Sequence, residues 1–143
     1  MSTTSGPEPR QFPVTGMMAI VLMVSVNQLL RAVLLLANRQ FISSIGLSLS
    51  PALLILVSLA WGLVGLGLLR ALLTGRHGAL RALQVYAVLY AFYVWVDRLA
   101  LNQNPFTQAN QNFAVALTLL FLGFIFWGTT RKQTRLFYGE NNE

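Results

Sequence analysis

Charged residues and cysteine are what this sequence has least of. Asp, Glu, Lys and Arg make up 10% of the 143 residues, whereas an ordinary soluble domain carries about 25%. The absence of cysteine excludes disulfides, thiolate metal sites, iron–sulfur clusters and cysteine nucleophiles. There is one histidine, His77, and three of the four acids (Glu8, Glu140 and Glu143) lie near the ends of the chain. We therefore expect no enzyme, no metal site and no cofactor held covalently or by a metal.

Long apolar runs are abundant by contrast. A membrane-spanning helix needs about 20 mostly apolar residues, and four segments qualify: residues 14–36, 51–73, 80–101 and 113–129. The second carries no charge between Ser50 and Leu69, and the fourth carries none before Arg131. A soluble bundle would need a charged outer face on these helices. The sequence therefore predicts an all-α integral membrane protein, with four transmembrane helices in an up-down bundle over residues 14–129.

Local signals support the limits of these helices. Ser50 followed by Pro51 is typical of an N-cap with proline at the first helical position. Gly75 and Gly78 interrupt the chain between the second and third spans, and Asn104-Pro105 does so after the third. We predict a mobile cytoplasmic tail over residues 1–13 and a basic cytoplasmic tail over residues 130–143.

The cations predict the orientation. They cluster around the turn between the second and third spans (Arg70, Arg76 and Arg81) and after the fourth (Arg131, Lys132 and Arg135). The connection over residues 102–112 has none. The positive-inside rule then places both ends and the middle turn in the cytoplasm, and in a bacterium the inner (plasma) membrane is expected. Cations distributed in this way do not favour nucleic-acid binding.

A polar stripe runs along the third span. Tyr86, Tyr90, Tyr93 and Asp97 are spaced by 4, 3 and 4 residues, which places three phenols and a carboxylate on one side of a helix. The stripe can be a seam within the bundle, a seam that contacts a lipid, quinone or pigment, or a polar path for protons or solutes.

Asn27 and Arg31 share a face of the first span. At about 1.5 Å of rise per residue, Arg31 and Asp97 both lie roughly 10 Å outward of the middle of their spans. We predict that they pair, because an ionised group at that depth is costly unless it is paired or reaches the headgroups. Arg98 and Arg39 are alternative partners for Asp97. In a third arrangement Arg31 and Arg98 both extend to the headgroups while Asp97 meets water.

Small residues form a second stripe. Ser58, Gly62 and Gly65 share one side of the second span and predict close packing, either within the bundle or between copies of the chain.

Trp127, near the end of the fourth span, suits the belt of aromatic residues at a membrane–water interface. The basic segment after it either fixes the topology alone or lies on anionic lipid or a cytoplasmic partner.

These features favour a non-catalytic accessory or scaffolding subunit of a larger membrane complex, energy-transducing or associated with pigment or quinone, that stabilises partner helices and bound lipid. The expected partners are other membrane subunits and lipids, with a homo-oligomer also open. The alternative is a small oligomeric transporter or channel component whose polar path runs through Asn27, Arg31, Tyr90 and Asp97.

Overall fold

The structure, a computed structural model, describes residues 12–44, 50–100 and 109–138, and all the regular secondary structure in these ranges is helical. The four long helices are α1 (Phe12–Ala37), α3 (Pro51–Leu73), α4 (Ala79–Ala100) and α5 (Gln111–Thr130). Two short helices, α2 (Arg39–Ser44) and α6 (Lys132–Phe137), follow α1 and α5. All four long helices are long and apolar enough to cross a membrane, which confirms the prediction of an all-α chain with four membrane-length helices.

The helix limits differ from the predicted spans by one or two residues at most of their ends. α1 begins at Phe12, two residues before the predicted start of the first span. The reason is that Pro13 lies in the first turn of the helix, where its fixed φ suits the helix and no N–H is needed. α5 extends over Gln111–Thr130 rather than residues 113–129. Residues 1–11 and 139–143 of the two predicted tails lie outside the described residues, as does Asn104-Pro105.

Both ends of α3 have the geometry that the sequence predicts. Ser50 caps α3 by accepting a hydrogen bond from the Leu53 N–H at 3.3 Å, with Pro51 in the first turn. At the other end, Gly75 and Gly78 have φ values of +64° and +82°. That region of backbone conformation favours glycine, because a Cβ atom would clash there. The two glycines therefore reverse the chain in a short turn that holds Arg76 and His77.

The bundle has an apolar core near this turn. Met17 of α1, Leu72 of α3, Leu83 of α4 and Ile125 of α5 are fully buried there. Tyr138, which follows α6, is buried against the same core, and its hydroxyl donates to the Leu72 carbonyl at 2.8 Å. The segment after α5 is thus docked on the bundle, an arrangement that its basic composition did not predict.

The outward surface of the long helices is apolar. In each helix, between 17% and 33% of the most hydrophobic stretch is buried within the chain. Large apolar side chains are exposed on all four, among them Met23, Leu63, Phe92 and Leu120. In a water-soluble bundle this much exposed apolar surface would be unfavourable, so hydrocarbon is the solvent that suits it.

Candidate functional site: a polar seam between α1 and α4

The main polar cluster of the described residues lies between α1 and α4. The helical spacing of Tyr86, Tyr90, Tyr93 and Asp97 brings all four onto the side of α4 that faces α1 and α3. From α1, Gln28 and Arg31 project toward them. We name Gln28, Arg31, Tyr86, Tyr90, Tyr93 and Asp97 the polar seam.

Arg31 and Asp97 form an ion pair within the seam. Arg31 Nη2 donates to Asp97 Oδ1 at 2.8 Å, and Nη1 donates to Oδ2 at 3.2 Å. Arg31 Nη1 also lies 3.4 Å from the Tyr93 hydroxyl. The Asp97 side chain is 11% exposed and that of Arg31 is 32% exposed. Two parallel hydrogen bonds make the pair directional as well as attractive, because the planar guanidinium must face the carboxylate edge.

Gln28 is the second α1 residue in the seam. Its side chain is 2% exposed, and Nε2 donates to the Tyr90 hydroxyl at 3.0 Å. Its carbonyl oxygen, Oε1, has no hydrogen-bond partner among the residues that the structure describes. A buried amide oxygen without a partner costs free energy. The unpartnered Oε1 therefore offsets part of the stability that the hydrogen bond to Tyr90 contributes.

Asn27 does not join the seam, contrary to the sequence prediction. Its side chain is exposed on the outer face of α1. Gln28 lies three residues before Arg31 and Asn27 lies four before it, and both spacings keep residues near one side of a helix. The direction in which α4 lies from α1 selects Gln28. No local signal in the sequence distinguishes these two adjacent amides.

Trp61 of α3 completes the seam, and the sequence did not single it out. Its ring centroid lies 5.4 Å from those of Tyr86, Tyr90 and Tyr93, edge-on to the first two. The Tyr86 hydroxyl is 3.4 Å from the Trp61 carbonyl oxygen, to which it donates. Such edge-to-face contacts are favourable for aromatic rings. Trp61 therefore ties α3 to the same side of α4 that contacts α1.

The small-residue stripe lies against α1, within the chain. Ser58, Gly62 and Gly65 are all buried. A Cβ atom on Gly62 would lie 2.7 Å from two side-chain atoms of Leu29. On Gly65 it would overlap Ser25 Oγ and lie 2.8 Å from the Tyr86 hydroxyl. The glycines thus allow a close approach of α1 and α3, which brings Gln28 and Arg31 within reach of α4.

Two further contacts lie at the C-terminal end of α5. Gln84 Nε2 of α4 donates to Thr129 Oγ1 at 2.7 Å. The Arg131 guanidinium lies 4.0 Å from the Trp127 ring centroid, a cation–π contact at the predicted interfacial position. His77, in the turn between α3 and α4, is exposed.

The seam brings together groups suited to fixing helices in place. Asp97 is the one acid among the described residues, and it faces a guanidinium rather than a second carboxylate or a histidine. In comparisons with known proteins, the chain matches no protein-family model, no curated protein and no solved structure.

Proposed function

We propose that this chain is a non-catalytic subunit of a larger membrane assembly, in which it holds partner helices and lipid in place. The observation that carries the proposal is the closed Arg31–Asp97 pair: the one acid outside the terminal segments is bonded to a guanidinium inside the bundle. A group held in this way is suited to fixing the rotation and register of α1 and α4. The large apolar side chains on the outer faces supply surface for partner helices and lipid.

We further propose an up-down bundle with both ends of the chain in the cytoplasm, in a bacterial inner membrane. Residue pairs between helices support alternating directions. Residue numbers rise together in α1 and α4, where Gln28 meets Tyr90 and Arg31 meets Asp97. They run in opposite senses in α4 and α5, where Gln84 meets Thr129 and Tyr90 meets Phe121. The cations of the turn at Arg76 and of the segment after α5 then share the cytoplasmic side.

Labelling of single cysteines tests this topology, because the chain has none of its own. His77→Cys places an exposed thiol just before α4, and Asn110→Cys places one just before α5. In an up-down bundle these two helices begin on opposite sides of the membrane. In intact cells, a membrane-impermeant maleimide should label the thiol at position 110 and leave the one at position 77 unlabelled. Inverted membrane vesicles should give the reverse. Labelling of both positions from one side would overturn the up-down arrangement.

Cells that no longer produce the chain test whether it belongs to a larger assembly. In mild detergent, the tagged protein should co-purify with the other subunits of one membrane complex in fixed stoichiometry. On native gels, cells that lack the chain should contain less of that intact complex. A chain carrying Asp97→Asn should restore that complex only in part, whereas the matched surface change Arg81→Gln should restore it fully. Purification of the chain alone, with no complex lost on its removal, would contradict the scaffold proposal.

The hydrogen-bonded polar groups of the seam favour a second candidate, a transporter or channel component. Polar atoms succeed one another along α4 from Tyr86 through Tyr90 and Tyr93 to Asp97, with Gln28 and Arg31 beside them. Liposomes that contain only this protein separate the two proposals. Solute or proton flux that Asp97→Asn abolishes supports transport, and the absence of flux contradicts it.

A lipid, quinone or pigment that contacts the tyrosines should co-purify with the native protein and be lost with Trp61→Leu.

A further inference from the structure

Asn27 presents a carboxamide to the outside of the bundle at membrane depth. It lies about 4 Å from the midpoint of α1, at roughly 1.5 Å of rise per residue. Its side chain is exposed and makes no hydrogen bond with any residue that the structure describes. Its neighbours on the same helical stripe are apolar and exposed: Met23 by 77%, Leu30 by 55% and Leu34 by 54%.

This position is energetically unfavourable for an isolated chain. Hydrocarbon offers no hydrogen-bond partner, and each unsatisfied polar group there costs several kcal/mol. The other two amides well inside the helices, Gln28 and Gln84, donate to hydroxyls within the bundle. Among these three, Asn27 alone is exposed and has no hydrogen-bond partner within the described residues.

A shallow, open depression lies beside Asn27 along α1. Asn27, Leu30, Arg31, Leu34, Leu35 and Asn38 line a depression of about 380 Å³. Arg31 forms part of its wall while its guanidinium faces Asp97. The described residues accept three of the five N–H groups that this guanidinium carries. The pair with Asp97 keeps the site close to neutral, so a like surface can approach it without strong repulsion.

We propose that this face of α1 binds a second copy of the chain, with Asn27 of each copy hydrogen-bonded to Asn27 of the other. A carboxamide carries both a donor and an acceptor, so two of them can satisfy one another. A two-fold axis along the membrane normal places each residue opposite its own counterpart at the same depth. A second copy related in this way therefore presents a matching carboxamide at the depth of Asn27.

This inference requires the membrane placement of α1 but not the larger assembly, so its failure would leave the scaffold proposal standing. The test uses the full chain alone in liposomes, with one cysteine introduced at a time. Met23→Cys and Leu30→Cys lie on the Asn27 stripe, and Leu63→Cys is an equally exposed position on α3. Under mild oxidation, disulfide-linked dimers should form at positions 23 and 30 and not at position 63.

A second change shows whether Asn27 drives the contact. Polar residues contribute about 1–2 kcal/mol to association of model membrane helices, so Asn27→Leu should lower the dimerisation constant about 5- to 30-fold. Asn27→Gln, which retains the amide, should preserve dimerisation. Neither variant should weaken the folded monomer, because Asn27 makes no hydrogen bond with another described residue. Equal cross-linking on α1 and α3, no cross-linking, or dimerisation insensitive to Asn27→Leu would overturn the proposal. So would cross-linking of this face, in native membranes, only to a different protein.

Discussion

Arg31 and Asp97 meet through two hydrogen bonds although they are 66 residues apart in the chain. The bonds measure 2.8 and 3.2 Å and join the second half of α1 to the last turns of α4. A bidentate pair has one favourable geometry, so it restricts how each helix can rotate or slide. The contact lies at the opposite end of the bundle from the apolar core around Met17 and Leu83. The two ends of the bundle are thus held by different interactions.

Breaking this pair should destabilise the bundle. Removal of one partner of a fully buried pair costs about 3–5 kcal/mol. Because the Arg31 side chain is 32% exposed and can extend toward the headgroups, we expect about 1–3 kcal/mol for Asp97→Asn or Arg31→Leu. The measurement is the unfolding free energy of the protein in mixed micelles.

The exchanged pair, Arg31→Asp with Asp97→Arg, tests the assignment of the partners. The double variant should be more stable than the Arg31→Asp and Asp97→Arg single variants, because the attraction is restored with reversed sense. Arg81→Gln on the exposed side of α4 is the matched control and should leave stability within about 0.5 kcal/mol of the native chain. A double variant no more stable than the singles would contradict the pairing.

Alanine at Gly62 or Gly65 should separate α1 from α3. A Cβ atom at Gly62 meets Leu29 at 2.7 Å, and one at Gly65 meets Ser25 and Tyr86. Overpacking of this kind typically costs about 1–3 kcal/mol. Gly67→Ala is the matched control on the same helix, since nothing lies within 4 Å of its Cβ position. It should be neutral or stabilising by up to about 1 kcal/mol, because alanine favours helices. Equal thermal unfolding temperatures for all three variants would count against close packing of the stripe.

Tyr90→Phe should destabilise the seam through the partner that it leaves behind. Without the hydroxyl, Gln28 keeps a buried amide with no described acceptor, at a cost of about 1–3 kcal/mol. Adding Gln28→Leu should recover most of that loss, because the unpaired amide is then removed. Tyr93→Phe should cost less, since its contact with Arg31 is longer, at 3.4 Å. Strictly additive effects of the Gln28 and Tyr90 changes would show that the two side chains are not coupled.

Tyr138 should control the docking of α6. Its side chain is 1% exposed and donates to the Leu72 carbonyl at 2.8 Å. Tyr138→Phe should cost about 0.5–1.5 kcal/mol, and Tyr138→Ala should undock the segment because it also leaves a cavity. Trypsin cleavage after Lys132 and Arg135 reports the docked state and should accelerate markedly in Tyr138→Ala. Leu136→Ala, at a position 65% exposed, should leave the cleavage rate unchanged.

Much of the seam could be predicted from helical geometry alone. The spacing of Tyr86, Tyr90, Tyr93 and Asp97 places them on one side of α4 in any α-helix. The similar depth of Arg31 and Asp97 follows from hydropathy and a constant rise per residue. Trp61 was missed because a tryptophan in an apolar run carries no sign of which helix it will contact. Burial of Tyr138 was missed because it depends on a contact with α3, more than 60 residues earlier.

The sequence by itself determined the class of protein and the length of its helices, because hydropathy and charge depletion act residue by residue and need no partner. It also determined the faces on which the tyrosines and small residues lie, because helical periodicity is local. Tertiary structure alone decided between Asn27 and Gln28. These neighbours point about 100° apart on α1, and the positions of α3 and α4 settle which amide is buried. The close approach at Gly62 and Gly65 holds α3 against α1, and Trp61 joins α3 to α4. Packing between helices therefore directs one amide inward and leaves the other facing hydrocarbon.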